Sequence, residues 1–381
     1  MTRLYFTAGE PSGDVFGAEV VDAIKRVNSS VSIRSAGGKA LSACTQAAPI
    51  DLSPMDVLGL WEGLLAYGDV QRISSQIADD ILGFKPEAAI LVDSWGLSLR
   101  VAKKVRAKDP SIRLLKLVGP QVWATRPGRA KTLAACVDHL MCLHHFEVPF
   151  YEPHGLDVTV VGQPALARQT RLNGGAFRAR RGISEEEPMV LLLPGSRSAE
   201  ISRVAPVLIE AAKALSVARP DLKICIAPAS NVRDEFQAMF RDLPQGWDLL
   251  EDDSERFEAM AAATLSLCCS GTVTTELAVQ GTPFITGYRI GHVSWALIRY
   301  VLMKARFITL LNVAADKMVA PEFLQSGFNA DNLVSAARRL LDNPEQLARQ
   351  KAEQEAALAK MGYGGEAAPE IAARTILSLL T

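Results

Sequence analysis

The sequence predicts an α/β protein built from two doubly wound Rossmann-like domains, and three observations lead there. Short runs rich in Val, Ile and Leu alternate with segments of helical period, the pattern of strands covered on both faces by crossover helices. The alternation is interrupted at 163–182, where a polar Arg- and Gly-containing stretch (RQTRLNGGAFRARRG at 168–182) separates two such series. A length of 381 residues suits two or three domains at roughly 150 residues each.

In the first series, strands are expected at 4–8, 31–35, 88–92, 114–118, 139–143 and 158–161, with helices between them. Residues 15–27 place Phe16, Val20, Ala23, Ile24 and Val27 on one stripe and Glu19, Asp22, Lys25 and Arg26 off it, as a helix laid on a sheet requires. The second series has strands at 189–193, 222–226, 264–267 and 283–286 and a helix at 199–215. From Asn332 onward three helices are expected, punctuated by Asn343-Pro344 and by 362–365. The expected division is 1–165, 183–345 and a helical tail at 346–381, packed back on the first domain or exchanged in a dimer.

Composition excludes several classes. With 41 basic and 42 acidic residues there is no global field to hold nucleic acid. The six cysteines form no CxxC pair and are too sparse for a disulfide scaffold, which fits a reducing compartment. Histidine and carboxylate spacing offers no HExxH, no DxD and no Cys/His ligand cluster, so no metal is expected. The apolar stretch before Glu10 is too short for a signal peptide. The longest uncharged run, 259–275, has Ser, Thr and Gly interspersed throughout and falls short of the roughly 20 apolar residues a bilayer needs, so a cytoplasmic chain without a transmembrane helix is expected.

Ligands of doubly wound sheets bind beyond the carboxyl ends of the strands, so strand-to-helix turns are where chemistry is sought. The first candidate is Gly9-Glu10-Pro11-Ser12-Gly13-Asp14, where Ser12 or Asp14 can cap a helix whose free amides favour an anion. The ordinary alternative is a plain capped turn. The second is Pro194-Gly195-Ser196-Arg197, where amide donors and a guanidinium make a diphosphate cradle unless Arg197 simply faces solvent. In the third, Ser270-Gly271-Thr272 precedes Glu276, whose carboxylate suits the vicinal hydroxyls of a ribose or, more plainly, a first helical turn. Asp93 ends the strand 88–92, either as a general base or as a helix cap. Two further segments read as core or as lipid-facing surface: 55–67 (MDVLGLWEGLLAY) and 290–311, where Trp295, Tyr300 and Phe307 interleave with Arg299, Lys304 and Arg306.

The turns, in this order and spacing, resemble the lipid-A-disaccharide synthase family, inverting glycosyltransferases of the GT-B fold. The resemblance rests on GEPSGD at 9–14, VLGLWEGL at 57–64, VDS at 92–94, PQVWATRPGR at 120–129, FEVPFY at 146–151, VGQP at 161–164, LLPGSR at 192–197, SGTVTTE at 270–276, GYR at 287–289, LLN at 310–312 and PEFLQ at 321–325. It implies two Rossmann-like domains facing a cleft, and transfer of diacylglucosamine from UDP-2,3-diacylglucosamine to the 6-hydroxyl of 2,3-diacylglucosamine 1-phosphate. The UDP-sugar is a substrate, and no cofactor or metal is implied. By matching motif, Asp93 corresponds to the family's essential aspartate, Glu10, Ser12 and Asp14 to a loop beside the reacting centre, and Arg197 to a phosphate contact. Glu276, Asn312 and Gln325 correspond to parts of the UDP pocket. The resemblance also implies a peripheral protein of the inner membrane, and homodimers in some members. Gly96, Thr125 and Gln163 depart from the family pattern. Rival readings are another UDP-N-acetylglucosamine enzyme, such as a polyprenyl-linked transferase or an epimerase, and a catalytically silent nucleotide-sugar or lipid binder.

Overall fold

The computed structural model describes residues 2–53, 67–291 and 306–380. It divides into two compact units, residues 1–167 with 361–381, and 168–360. The linker stretch and the helix Pro344–Lys360 therefore belong to the second unit, and only the last helix, Ala368–Ser378, returns to the first. The interfacial segments expected at 55–67 and 290–311 fall largely outside the described residues, at 55–66 and 292–305. Among the described residues, no helix is long and apolar enough to cross a membrane.

The first unit holds seven strands: β1 (Arg3–Ala8), β2 (Ser32–Ala36), β3 (Gln46–Ala47), β4 (Ala88–Val92), β5 (Arg113–Leu117), β6 (His139–Cys142) and β7 (Asp157–Val160). Their order is β3-β2-β1-β4-β5-β6-β7, and every pairing is parallel. Such a sheet must be covered on both faces, and β4 (AAILV) is buried along its whole length. The helix Pro11–Val27 covers one face. It starts with Pro11 in its first turn, carries Lys25 and Arg26 in its last, and packs against Ala368–Ser378 through Ala368, Ala372, Ala373 and Ile376. The helices Tyr67–Phe84 and Trp95–Lys108 pack together on the other face.

The second unit repeats the plan with β8 (Met189–Leu193), β9 (Lys223–Ile226), β10 (Asp248–Leu249), β11 (Leu265–Cys269), β12 (Phe284–Tyr288) and β13 (Glu322–Leu324), in the order β10-β9-β8-β11-β12-β13. The helix expected at 199–215 is two, Ser198–Arg203 and Ala205–Ala218. Pro206, in the first turn of the second, has no N–H to continue the ladder from the first. In both sheets the strand order reverses at one place, between β1 and β4 and between β8 and β11, and those gaps are where doubly wound folds bind ligands.

Candidate functional site

In the first unit the two turns flanking the reversal approach closely. A Cβ on Gly9 would lie 2.9 Å from Leu97 Cδ2 and 3.0 Å from Ser94 Oγ, so only glycine lets the β1 turn meet the β4 turn. Asp93 follows β4 with φ +44°, and Ser94 follows it with φ +39°. Consecutive non-glycine residues in the left-handed region are costly and persist only where their surroundings hold them. The Asp93 N–H donates to the Leu117 carbonyl at 2.9 Å, and Ser98 Oγ donates to the Asp93 carbonyl at 2.7 Å. The half-buried Asp93 carboxylate itself has no hydrogen-bond partner among the described residues.

Glu10 caps the helix Pro11–Val27 through its backbone, and its carboxyl is held above the usual range by burial and then by the negative charge of Asp93. A positive charge opposes this: Lys116, the penultimate residue of β5 and 1% exposed. No turn motif marks Lys116 in the sequence. The one signal available was a charged residue inside an apolar strand, RLLKL.

The other residues of the first turn serve differently. Ser12 is exposed. Asp14 is buried, and its carboxylate accepts from the amides of Gly38 at 2.7 Å, Ala40 at 2.8 Å and Leu41 at 3.2 Å, so it ties down the start of the helix Lys39–Cys44. A cavity of about 570 Å³ opens beside this turn, lined by Glu10, Pro11, Val15, Lys39 and Leu52 among others.

The motifs at 120–129 and 146–151, which follow β5 and β6, pack against each other. Tyr151 Oη donates to the Pro120 carbonyl at 3.0 Å, Trp123 meets Phe146 edge-on at 5.3 Å, and Arg129 lies 5.1 Å over the Trp95 ring. His144, stacked on Phe146 at 4.9 Å, is pushed down to about 4 by burial.

In the second unit, Gly195, Ser196, Arg197, Ser270, Gly271, Thr272 and Glu276 come together around one cavity of about 320 Å³ at the β8/β11 reversal. Glu200 and Arg256 also line it, and the sequence analysis picked out neither. Gly195 has φ +121°, and a Cβ there would lie 2.6 Å from Glu200 Oε2. That carboxylate accepts the Ser196 amide at 2.9 Å, so an internal anion already holds one donor of the expected diphosphate cradle. Arg197, with 77% of its side chain exposed, is tied only loosely to Glu200, at 3.5 Å. Arg256 pairs with Glu276 at 2.9 Å, and its buried Nε has no partner among the described residues. The helix Thr272–Gln280 carries no side-chain cap; the Thr274 N–H donates to the Gly271 carbonyl at 3.2 Å, and Thr272 and Val273 at its start line the cavity.

Two predicted pocket residues are not brought there. Asn312 is fully buried and makes four bonds: Nδ2 to the Ala320 carbonyl and to Glu322 Oε2, and Oδ1 from the Val319 and Ala320 amides. Its polar atoms are thus engaged in a clasp ahead of β13. Gln325, at φ +52°, bonds both the N–H and the carbonyl of Ile290 and closes the end of β12.

Two parallel doubly wound sheets in one chain, each with one reversal of strand order, define the GT-B class of fold, which glycosyltransferases share with nucleotide-sugar epimerases. The model describing lipid-A-disaccharide synthetases matches residues 4–376, and the chain belongs to that family, whose enzymes act in lipid A biosynthesis. A lipid-A-disaccharide synthase of Paramagnetospirillum magneticum is 32% identical over 99% of this chain and 97% of its own length. One from Myxococcus xanthus is 32% identical over 89% of this chain and 88% of its own. Among solved structures, sucrose-phosphate synthase of Thermosynechococcus elongatus shares the fold with TM-score 0.57 at 12% identity, covering 100% of this chain and 98% of that one. The UDP-GlcNAc 2-epimerase of Neisseria meningitidis, solved with UDP-GlcNAc, does so with TM-score 0.52 at 13% identity, covering 100% and 99%.

Proposed function

We propose that the chain condenses UDP-2,3-diacylglucosamine with 2,3-diacylglucosamine 1-phosphate to give the β-1,6-linked disaccharide 1-phosphate and UDP. In this reading Asp93 takes the proton of the acceptor 6-hydroxyl as that oxygen forms its bond to the anomeric carbon with inversion. The bond from that carbon to the diphosphate oxygen breaks, and its electron pair leaves with UDP. The observation that carries the reading is the Asp93 carboxylate at the β1/β4 reversal, without a hydrogen-bond partner among the described residues, held in a left-handed turn and coupled by charge to Glu10 and Lys116.

UDP is assigned to the cavity of the second unit. Arg197, Arg256 and the amides at the start of Thr272–Gln280 would meet the diphosphate, and Glu276 the ribose hydroxyls. These groups take the role a metal ion has in other transferases, so turnover is expected to survive EDTA. Glu10 and Ser12 are assigned to the acceptor side, with Asp14 holding their loop. Asn312 and Gln325 are assigned to shaping β12 and β13 behind the nucleotide. We assign the protein to the cytoplasmic face of the inner membrane as a peripheral protein.

The test is incubation with the two diacylglucosamine precursors, followed by mass analysis for UDP and a disaccharide 1-phosphate, a product that an epimerase or a silent binder would not give. Asp93→Asn should lower turnover by about 100- to 10000-fold while UDP still binds. Retained turnover would remove Asp93 from this role.

A further inference from the structure

The Lys116 ammonium is buried beneath the candidate base and donates to three backbone carbonyls, those of Leu91, Asp93 and Leu117, at the carboxyl ends of β4 and β5. The backbone is strained around it. Asp93 and Ser94 are left-handed, and so is Val118 at φ +68°, where a β-branched residue is a genuine outlier. Left-handed residues at three positions over two adjacent strand ends need something that over-determines them. A cation bonded to the carbonyls on either side of the Asp93–Leu117 link does that, and it leaves the Asp93 carboxylate without competition for the acceptor.

We propose that Lys116 is the positioning residue of the transfer: its ammonium clamps the β4 and β5 ends, fixes the Asp93–Ser94 turn, and places a positive charge beside the Asp93 and Glu10 carboxyls. The proposal rests on Asp93 being the base. Burial pulls Lys116 down, to about 7 even though two charged groups push it up, Asp93 at the end of β4 and Glu10 in the β1 turn. Within the same trio, the Glu10 carboxyl is raised by burial and by Asp93 and lowered by Lys116.

The experiment compares wild type, Lys116→Met, Lys116→Gln, Asp93→Asn and the Asp93→Asn/Lys116→Met double variant. It measures kcat, KM, UDP affinity and the pH dependence of kcat with both diacylglucosamine substrates. Lys116→Met should lower kcat by about 100-fold, the cost of a base misplaced by about an ångström, with KM and UDP affinity unchanged. The acidic limb of its pH profile should move to higher pH, because the cation that favours the ionised carboxyl pair is gone. A purely structural lysine would not move that limb. In the Asp93→Asn background, Lys116→Met should cost nothing further.

A folded Lys116→Met or Lys116→Gln with wild-type kcat and pH profile overturns the proposal while leaving Asp93 as base. An active Asp93→Asn overturns the base assignment instead. Should neither lysine variant fold, lysine-labelled NMR decides: the Lys116 midpoint should fall in Glu10→Gln, and an unmoved midpoint overturns the proposal.

Discussion

Glu147→Gln should stabilise the protein, and only above mildly acidic pH. Glu147 is 3% exposed, and its Oε1 alone accepts both the Leu143 amide at 3.1 Å and the His144 amide at 2.9 Å. Glutamine keeps that acceptor and stands permanently for the protonated acid. Burial pushes the carboxyl from 4.5 up to about 7 against those two bonds. Because the folded value lies above the unfolded one, the unfolded chain ionises first as pH rises. Native stability therefore falls between about pH 4.5 and 7, and the loss is complete above that window. At roughly 1.4 kcal/mol for each tenfold in proton affinity, the loss is on the order of 3 kcal/mol. Urea melts of wild type and variant should differ by about 1 kcal/mol at pH 5 and by about 3 kcal/mol at pH 8, the variant being the more stable at pH 8. A variant less stable than wild type at pH 8 would mean that the ionised carboxylate stabilises the His144 turn, and the reasoning from burial would be wrong.

Arg256→Ala should weaken UDP binding by calorimetry about 10- to 100-fold, because it removes one cation from the cavity and leaves Glu276 unpaired beside the ligand. Glu200→Gln keeps an acceptor for the Ser196 amide while removing one negative charge, so UDP should bind more tightly, most visibly at low salt. Asn312→Ala should lower stability by about 1–3 kcal/mol in denaturant melts, with UDP affinity of the folded variant within about twofold of wild type. Gly9→Ala forces a Cβ against Leu97 and Ser94, so it should cost about 1–3 kcal/mol of stability and lower kcat while leaving UDP affinity unchanged.

Strands buried on both faces were legible in the sequence. The expected ranges 88–92 and 189–193 coincide with β4 and β8, because an uninterrupted apolar run bounded by turn residues has one way to be buried in a parallel sheet. The edge strands β3, β10 and β13 are two or three residues long, and no local pattern announces a strand whose pairing is supplied by its neighbour. The three C-terminal helices were legible from their Pro and Gly punctuation, but which unit each helix joins is a matter of tertiary packing.

Turn motifs gathered most of the cavity at the β8/β11 reversal, because β8 and β11 are neighbours and their turns must meet. Arg256 comes from the helix Arg256–Ala262, which no turn motif marks. Asn312 has the chemistry of a ligand contact, but its surroundings take up its bonds. Lys116 was readable only as a misfit, one cation in a buried strand.

A crystal structure of the protein with UDP tests the nucleotide assignment most directly. The diphosphate should lie at the β8/β11 reversal, against Arg197 and the first-turn amides of Thr272–Gln280, with the ribose on Glu276. UDP seated anywhere else, or a diphosphate that leaves those amides and both arginines untouched, would contradict it.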